Sequence, residues 1–371
     1  MLTRELNDFV KNECGDSIIG IAPADVLTED EIRQAIRTNE IMSRYTPLIT
    51  PDTPVVQPRE FLETATAVIV VGLNFYFGRK DLPGSPPRSE IMNFYVNQDC
   101  VDYISEQSNK IISFLEQKGH EAVLAAYGTP IKTVAAKSGI GWYGKNAVII
   151  TPEFGSWVGI ILIITDAPLE ITSSKQSECG NCNKCRDACP TGALSVPYTC
   201  DAEKCITLHT IYNKGEIPVE IREKMGTVVG QCNICLDVCP KNKKLPLQKN
   251  ISVPEHLVYP EIVPLLNMSD SFYKNAFDSS FLDYTLMDKK YMQRNAAIAL
   301  GNCGDPAYIP ELARALETQE EELIRTSAAW ALGKIGGGDA KSALEKRRDT
   351  ENSEAVKSEI DAALERISRN R

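Results

Sequence analysis

The sequence predicts an α/β domain, then a small cysteine-rich domain held together by bound metal, then a C-terminal array of paired helices. Three observations predict this order. Buried-strand runs alternate with helical segments up to about residue 170, most cysteines lie between 171 and 250, and Ala-Leu pairs recur at a constant spacing after Tyr291. We therefore expect domains at 1–170, 171–250 and 251–371.

The α/β domain is predicted from three apolar, β-branched runs that end at Gly, Pro or Asp. They are AVIVVGLNFYF at 67–77, NAVIIT at 146–151 and WVGIILIITD at 157–166. Between the first two, DYISEQSNKIISFLEQKG repeats its apolar residues at helical spacing and stops at Gly119. Helices covering a sheet are therefore expected.

Composition narrows the class of protein. The chain of 371 residues is 43% hydrophobic and 24% charged, which is ordinary for a globular protein. Its first residues, MLTRELNDFVKNECGDS, have no apolar core of a signal peptide, and the longest apolar run, Trp157 to Thr165, is too short to span a bilayer. A cytoplasmic protein without a membrane partner is expected. The net charge of -10 argues against a general nucleic-acid binder.

Two cysteine runs carry the strongest chemical signal. The first holds Cys179, Cys182, Cys185 and Cys189, and the second holds Cys232, Cys235 and Cys239; each run ends in Cys-Pro. This is the bacterial ferredoxin pattern, in which three thiolates hold one [4Fe-4S] cluster and the cysteine before proline crosses to the other. The sequence therefore predicts a ferredoxin-like domain that carries electrons.

Two cubane clusters need eight thiolates, and the two runs supply seven. Cluster one would take Cys179, Cys182, Cys185 and the crossing Cys239. Cluster two would take Cys232, Cys235, the crossing Cys189 and either Cys200 or Cys205. Zinc sites and disulfides are the alternatives, but zinc does not require two Cys-Pro crossings and a chain without an export signal favours reduced thiols.

The segment GIGWYGKN at 139–146 carries the second signal. Its spacing matches a dinucleotide-binding fingerprint by accident, since no predicted strand precedes it. Glycines beside Trp142, Lys145 and Asn146 suit a loop that lies against a flat ligand or one that bears amides. A tight turn with Trp142 in the core explains the pattern equally well.

The C-terminal third repeats itself. RNAAIALGNCGD at 294–305 recurs as RTSAAWALGKIGGGD at 325–339, and SEIDAALERI carries a degenerate third copy. Small residues between the leucines allow close helix packing, and the glycine after each Ala-Leu pair is expected to end its helix. We predict HEAT-like repeats, two of them followed by a terminal cap.

Taken together, GIGWYGKN, GSWVGIILIITD, the two cysteine runs and CITLHTIYNKG resemble the epoxyqueuosine reductase family. The similarity runs from about Phe61 to Asn242 and resumes in RNAAIALGNCGD. The resemblance implies a reductase that depends on cobalamin and two [4Fe-4S] clusters and is related to reductive dehalogenases.

The resemblance also implies roles for particular residues. Cys205, at the head of CITLHTIY, becomes the eighth cluster ligand, and Cys200 is spare. Cobalamin is expected near Trp142, Lys145 and Asn146, with Thr207 facing it. It would be bound base-off and without a histidine ligand. The sequence agrees, because none of its histidines lies in a D-x-H-x-x-G motif; they are His120, His209 and His256.

The implied mechanism passes single electrons from the clusters to cobalamin, while an acid protonates the leaving oxygen. The family places an Asp for this purpose a few residues before a proline, and here Tyr127 stands at that position. A downstream Glu of the family is replaced by Thr133. Tyr127 is therefore the candidate proton donor, as tyrosine is in related dehalogenases, with packing of its ring as the alternative.

The resemblance implies tRNA as the substrate and a low-potential ferredoxin or flavodoxin as the electron donor. Phosphate binding needs a basic face, which 239–249, Lys289, Lys290, Arg294 and Arg325 would form, although Asp283 and Asp288 interrupt it. Two alternatives stay open: a paralogue that reduces a small organic molecule, and an electron-transfer protein without its own substrate.

Overall fold

The computed structural model describes residues 1–78, 87–91, 98–125 and 128–369. Its strands are β1 (Ser17–Pro23), β2 (Ala67–Asn74), β3 (Ala122–Leu124), β4 (Trp142–Tyr143), β5 (Ile149–Ile150) and β6 (Val158–Thr165). Its helices in the first two thirds of the chain are α1 (Leu2–Glu13), α2 (Glu29–Met42), α3 (Gln98–Gln117), α4 (Ile131–Lys137), α5 (Lys184–Asp187), α6 (Val219–Arg222) and α7 (Ile234–Asp237).

The last third of the described chain is helical. Its helices are α8 (Glu255–Val258), α9 (Ile262–Leu266), α10 (Asp270–Phe277), α11 (Phe281–Leu286), α12 (Lys289–Cys303), α13 (Ile309–Thr318), α14 (Glu322–Ile335), α15 (Gly337–Arg348) and α16 (Glu354–Arg369). A π-helix at Leu208–Tyr212 and short 3₁₀ turns, among them Pro240–Asn242, complete the described elements.

The described residues form two compact units, each assembled from separated segments. The first unit combines Met1–Arg79, Asp99–Ala202 and Asn233–Ser252. The second combines Lys80–Gln98, Glu203–Cys232 and Val253–Arg371. The domain boundaries expected at 170 and 250 stay a prediction.

The first unit is built on a four-stranded sheet with the order β1-β2-β6-β3, in which every neighbouring pair is antiparallel. Strand β2 is central, and all eight of its residues are buried. Its Val70 lies opposite Leu162 of β6 and Gly20 of β1. Val70 and Leu162 belong to a core completed by side chains such as Val134 and Ala135 of α4.

Two predicted strands enter this sheet, since 67–77 contains β2 and 157–166 contains β6. The run NAVIIT was also predicted as a strand of the sheet. Instead, its β5 pairs only with β4 in a separate two-stranded ribbon, in the register Trp142 opposite Ile150. The ribbon is short because Gly144 and Ala147 turn the chain between the two strands, with a hydrogen bond from Ala147 N to Gly144 O of 2.9 Å.

The second unit contains the helical repeats, and the predicted HEAT-like architecture is confirmed. Its long helices α12, α14 and α16 pack in sequence with α13 and α15 beside them. Close approach depends on glycine: a Cβ added at Gly301 would lie 2.7 Å from Cα of Ala331, and one added at Gly333 would lie 2.5 Å from Cβ of Ala363.

These two glycines were predicted to end their helices, and that prediction is wrong. Gly301 and Gly333 lie inside α12 and α14, where they form the interhelical contact. The helices end at Gly304, with a φ of 68°, and at Gly336, with a φ of 75°. Only glycine adopts this left-handed region without strain, so the second glycine of each copy provides the stop.

All 12 cysteines lie within the described ranges, and the structure forms no disulfide among them. In the described part of the chain, no helix has the length and apolar character needed to cross a membrane.

Candidate iron-sulfur and cofactor site

The four cysteines predicted for the first cluster come together in the first unit. Cys179 and Cys182 lie in a tight turn, with a hydrogen bond from Cys182 N to Cys179 O of 2.9 Å. Cys185 lies on α5, and Cys239 follows α7, which packs against α5. Burial raises the pKa of the Cys239 thiol, and the nearby Cys179 and Cys182 raise it further. The pKa of the Cys185 thiol is raised by burial and by the proximity of Cys239 and Cys179.

Four cysteine thiols gathered in this way are the donor set that an iron-sulfur cluster requires, because the cluster is held by cysteine thiolates. The residues therefore fit the group. Among the described residues, no three His, Cys, Asp or Glu side chains lie close enough together to bind one metal ion. A cubane of four irons holds its thiolates farther apart than a single ion does, so this finding bears on a mononuclear site only.

Trp142 lies against the same cysteines. Its side chain is 3% exposed and packs with Ile150 and Cys239, and Cys179 adjoins this cluster. The ammonium of Lys241 lies 5.6 Å from the centre of its ring. Trp142 is thus buried beside the cysteine site, and its role toward a cofactor stays a prediction.

Lys145 holds the turn that carries the first two cysteines. Its Nζ donates to the carbonyl of Gly180 at 2.7 Å and to Oδ1 of Asn183 at 3.2 Å. Its own carbonyl accepts from Tyr198 N at 3.3 Å. Lys145 therefore connects the β4–β5 turn to the first cysteine run.

Asn146 has the character of a ligand-binding residue. It is buried, and neither its Nδ2 nor its Oδ1 has a hydrogen-bond partner; the indole Nε1 of Trp142 is in the same state. A buried amide that makes none of its hydrogen bonds costs about 1–3 kcal/mol for each unsatisfied group, so such positions call for a bound partner. Gly144 leaves room for this amide, because a Cβ there would lie 2.4 Å from Asn146 Oδ1.

Thr207 lies in the second unit beside another cysteine. It precedes the π-helix Leu208–Tyr212, and its hydroxyl oxygen accepts from the backbone N of Cys232 at 3.1 Å. Cys205 is three residues upstream of Leu208, whose N donates to the Cys205 carbonyl at 3.0 Å. Thr207 therefore connects the segments that carry Cys205 and Cys232.

The other predicted ligands lie in the first unit. Cys189 follows α5, and its sulfur is 3.6 Å from the hydroxyl of Thr191. Cys235 lies within α7. Both side chains are partly exposed, as is that of Cys200.

Tyr127, the candidate proton donor, lies outside the described residues. The next residues are described: Gly128 has a φ of 112°, and Thr129 buries a hydroxyl group that has no hydrogen-bond partner. Thr133, which stands at the family's Glu position, lies with its hydroxyl 3.5 Å from that of Tyr143.

Two residues of the basic face predicted for tRNA, Arg294 and Arg325, are not exposed to a phosphate. Arg294 is completely buried, and Arg325 forms an ion pair of 2.9 Å with the buried Glu351. Neither guanidinium is available to a phosphate because each is held inside the repeats. Lys289 pairs with Asp270 at 3.0 Å, and Lys290 pairs with Glu321 at 3.4 Å.

Asn242 is a structural residue that the sequence did not predict. Asn242 accepts a hydrogen bond of 2.8 Å from Ser156 N and donates one of 2.8 Å to the Leu236 carbonyl. It thereby holds the chain just after Cys239 in place. Its position directly after Cys-Pro-Lys was the only signal, and polar residues near cysteines are too common for that signal to be decisive.

Comparison with known proteins decides the family. A family model described as a 4Fe-4S double cluster binding domain matches residues 178–242, and one described as HEAT repeats matches residues 285–365. Epoxyqueuosine reductase of Bacillus subtilis strain 168 is 32% identical, over 98% of this chain and 95% of its own. The chain belongs to the epoxyqueuosine reductase family.

Other members of the epoxyqueuosine reductase family agree. The Listeria monocytogenes relative is 36% identical over 62% of this chain and 60% of its own. A crystal structure of an epoxyqueuosine reductase with an epoxyqueuosine-modified tRNA-Tyr stem loop matches with a TM-score of 0.88 and 31% identity, covering 99% of both chains. The predicted family and fold class are confirmed: the protein is an oxidoreductase that binds iron-sulfur clusters.

Proposed function

We propose that this protein reduces epoxyqueuosine in tRNA to queuosine in the cytoplasm, with two [4Fe-4S] clusters and cobalamin as cofactors. The observation that carries the proposal is the match over 99% of both chains to a reductase crystallised with an epoxyqueuosine-modified stem loop. A match over the whole length includes the sheet, the cysteine runs and the repeats together, which a shared electron-transfer domain alone would not produce.

We assign Cys179, Cys182, Cys185 and Cys239 to the first cluster. The second cluster takes Cys189, Cys205, Cys232 and Cys235. Two such centres in one small domain form a path for single electrons at low potential. A ferredoxin or flavodoxin is the class of donor that such a path accepts electrons from.

Cobalamin is assigned to the surroundings of Asn146, whose unpartnered buried amide fits a ligand that carries many amide groups. Trp142, Lys145 and Thr207 are the further candidate contacts, and each also braces a cysteine segment. When bound, cobalamin supplies a low-potential cobalt centre at which electrons reach the substrate. It has no histidine ligand in this assignment.

The chain itself must supply a proton. Conversion of the epoxide to the alkene takes up two electrons and two protons, breaks both C–O bonds and releases the oxygen as water. Tyr127 is assigned to protonate the leaving oxygen. A phenol has an ordinary pKa of about 10, so it stays protonated at neutral pH and is able to act as an acid.

The test is an anaerobic assay with the reconstituted protein, cobalamin, a low-potential reductant and tRNA that contains epoxyqueuosine. Queuosine in nuclease digests, measured by mass spectrometry, is the expected product, and Tyr127→Phe should abolish it. A protein that carries about eight irons and bound corrinoid, yet produces no queuosine, would overturn the proposal.

The second candidate is a reductase of a small organic molecule. It is favoured by the burial of Arg294 and the pairing of Arg325, which remove two cations from the predicted tRNA face. Filter binding at several salt concentrations distinguishes the two. Affinity that falls steeply with salt supports tRNA, whereas lack of binding at low salt supports the small molecule.

A further inference from the structure

Helix α12 begins the repeats, and it places two completely buried polar residues side by side. Arg294 and Asn295 are both 0% exposed. The guanidinium of Arg294 donates to three backbone carbonyls, those of His209 at 2.7 Å, Asn213 at 2.7 Å and Gly215 at 2.6 Å. No carboxylate in the described part of the chain pairs with it, although a buried charge is ordinarily paired.

Asn295 extends the same network to a second segment. Its Nδ2 donates to the carbonyls of Thr210 at 2.8 Å and Val229 at 2.7 Å. Its Oδ1 accepts from Arg294 Nε at 3.0 Å, which fixes the orientation of both side chains. The pair therefore joins the backbone of 209–215 to that of Val229.

These two segments lie within a few residues of two cysteines assigned to the second cluster, Cys205 and Cys232. Thr210 donates to the carbonyls of Ile206 at 3.0 Å and Gly230 at 2.6 Å. Thr207 accepts from Cys232 N at 3.1 Å. Buried hydrogen bonds thus connect α12 to Ile206, next to Cys205, and to Val229 and Gly230, close to Cys232, all within the second unit.

The positive charges near this segment also indicate a link to the cluster. Lys214, just after the π-helix, donates to the carbonyls of Ile211 and Thr285, and its Nζ lies 4.8 Å from the centre of the Tyr291 ring. The Arg294 guanidinium lies 5.6 Å from the same ring. Two cations without a carboxylate partner among the described residues therefore flank the segment that follows Cys205. A cubane held by four thiolates is an anion, and nearby charge is one of the factors that set its reduction potential.

We propose that Arg294 and Asn295 are positioning residues for the second [4Fe-4S] cluster: they fix the spacing of Cys205 and Cys232, and the Arg294 charge raises the potential of the bound cluster. This rests on the ligand set of the proposed function. The first repeat is then a part of the electron path, in addition to any part it has in substrate binding.

The experiment compares Asn295→Ala, Arg294→Met and Arg294→Lys with the matched control Arg325→Met. Arg325 is the mostly buried arginine at the head of the next repeat, one position farther from its Ala-Leu pair than Arg294, and it pairs with Glu351. Each protein is reconstituted anaerobically; iron and sulfide, the rate of iron release to a chelator, and the midpoint potentials from an EPR-monitored titration are measured.

For Asn295→Ala, we expect half of the iron to be released roughly 10–100-fold faster, the range typical when a residue that holds a metal ligand in place is removed. Arg294→Met should shift one of the two midpoint potentials to more negative values and leave the other unchanged. Arg294→Lys should keep that midpoint potential close to the wild-type value, because lysine retains the positive charge. Arg325→Met should lower the melting temperature without changing iron release or either potential.

The proposal is overturned if the Arg294 and Asn295 variants melt earlier but keep wild-type iron release and both potentials, as the control does. Should Arg294→Met fail to fold, Asn295→Ala gives the decision through its rate of iron release. The tRNA assay is separate: wild type with two potentials but no queuosine formation refutes the proposed function alone. Wild type with four irons or fewer, about half of the two-cubane content, refutes the ligand set.

Discussion

Arg294 and Arg325 are the arginines at the head of successive repeats, RNAAIALGN and RTSAAWALGK, but their registers and surroundings differ: Arg294 lies six residues before Leu300, and Arg325 lies seven residues before Leu332. Arg325 pairs with Glu351, whose side chain is 2% exposed and also accepts from Arg347 at 2.7 Å. Arg294 donates to three backbone carbonyls instead. Both repeats therefore bring a guanidinium into the interior, and its register and the neighbouring segment decide whether it meets a carboxylate or a loop.

The two arrangements have opposite electrostatic consequences. The hydrogen bonds from Arg325, Ser353 and Arg347 outweigh burial and lower the pKa of Glu351 to about 2. Burial lowers the pKa of Arg294, and it lowers the pKa of Lys214 to about 8, with a smaller contribution from Arg294. The second repeat is stabilised by its charges, whereas the first tolerates uncompensated cations. This difference suggests that the first repeat serves a purpose other than stability.

The largest expected effect is the loss of stability on removal of the Glu351 carboxylate in the second repeat. Glu351→Ala leaves Arg325 and Arg347 without their shared partner and should lower stability by roughly 3–5 kcal/mol, as removal of one member of a buried ion pair does. Chemical denaturation followed by circular dichroism measures it. Loss below about 1 kcal/mol, the value of an exposed pair, would show that the pair contributes little.

Acid should remove the same stabilisation. The folded-state pKa of Glu351 is about 2, below the ordinary 4.5, so its contribution is complete above pH 4.5 and is lost as pH falls toward 2. We expect the stability difference between wild type and Glu351→Gln to shrink by about 3 kcal/mol over that range. Taking the difference cancels the acid lability that the two proteins share. A difference independent of pH would contradict the assignment.

Alkali should have the opposite effect next to the first repeat, where a rise in pH increases the stability of the fold through Lys214. Because the folded-state pKa of Lys214 is about 8 against an ordinary 10.5, the fold gains stability as pH rises between these values. The gain is about 2 kcal/mol after allowance for partial exposure. Melting curves of wild type and Lys214→Met from pH 7.5 to 10.5 measure it, and the variant should lack this rise. An equal rise in both proteins would assign it to another group.

The smallest effects distinguish the two glycines of each copy. Gly333→Ala forces a methyl group against Ala363, at 2.5 Å without adjustment, and should lower stability by about 1–3 kcal/mol. Gly336→Ala adds only the strain of a left-handed residue, about 1 kcal/mol, since nothing lies near its Cβ position. Gly333→Ala should therefore have the lower melting temperature of the two variants, and the reverse order would show that the contact of Gly333 with Ala363 contributes less than the helix stop at Gly336.

Much of the candidate site could be predicted because its chemistry depends on local spacing. The first cysteine run predicts three neighbouring ligands, and in the structure Cys179 and Cys185 lie near the distant Cys239, while the assignment of all eight ligands stays a prediction. The surroundings of GIGWYGKN could not be predicted in the same way. That Lys145 holds Gly180 depends on a contact between residues far apart in the chain, which no local pattern encodes.

By itself, the sequence determined the family, the repeats and the iron-sulfur character of the cysteine runs, because each is a periodic or fixed-spacing pattern that is readable without coordinates. Only the tertiary structure decided that Gly301 and Gly333 are contacts and that NAVIIT leaves the main sheet. Likewise, it decided that Arg294 faces a cysteine-bearing segment and that Arg325 faces Glu351. The physical reason is the same in each case: burial and partner are set by what packs against a residue, and that neighbour lies elsewhere in the chain.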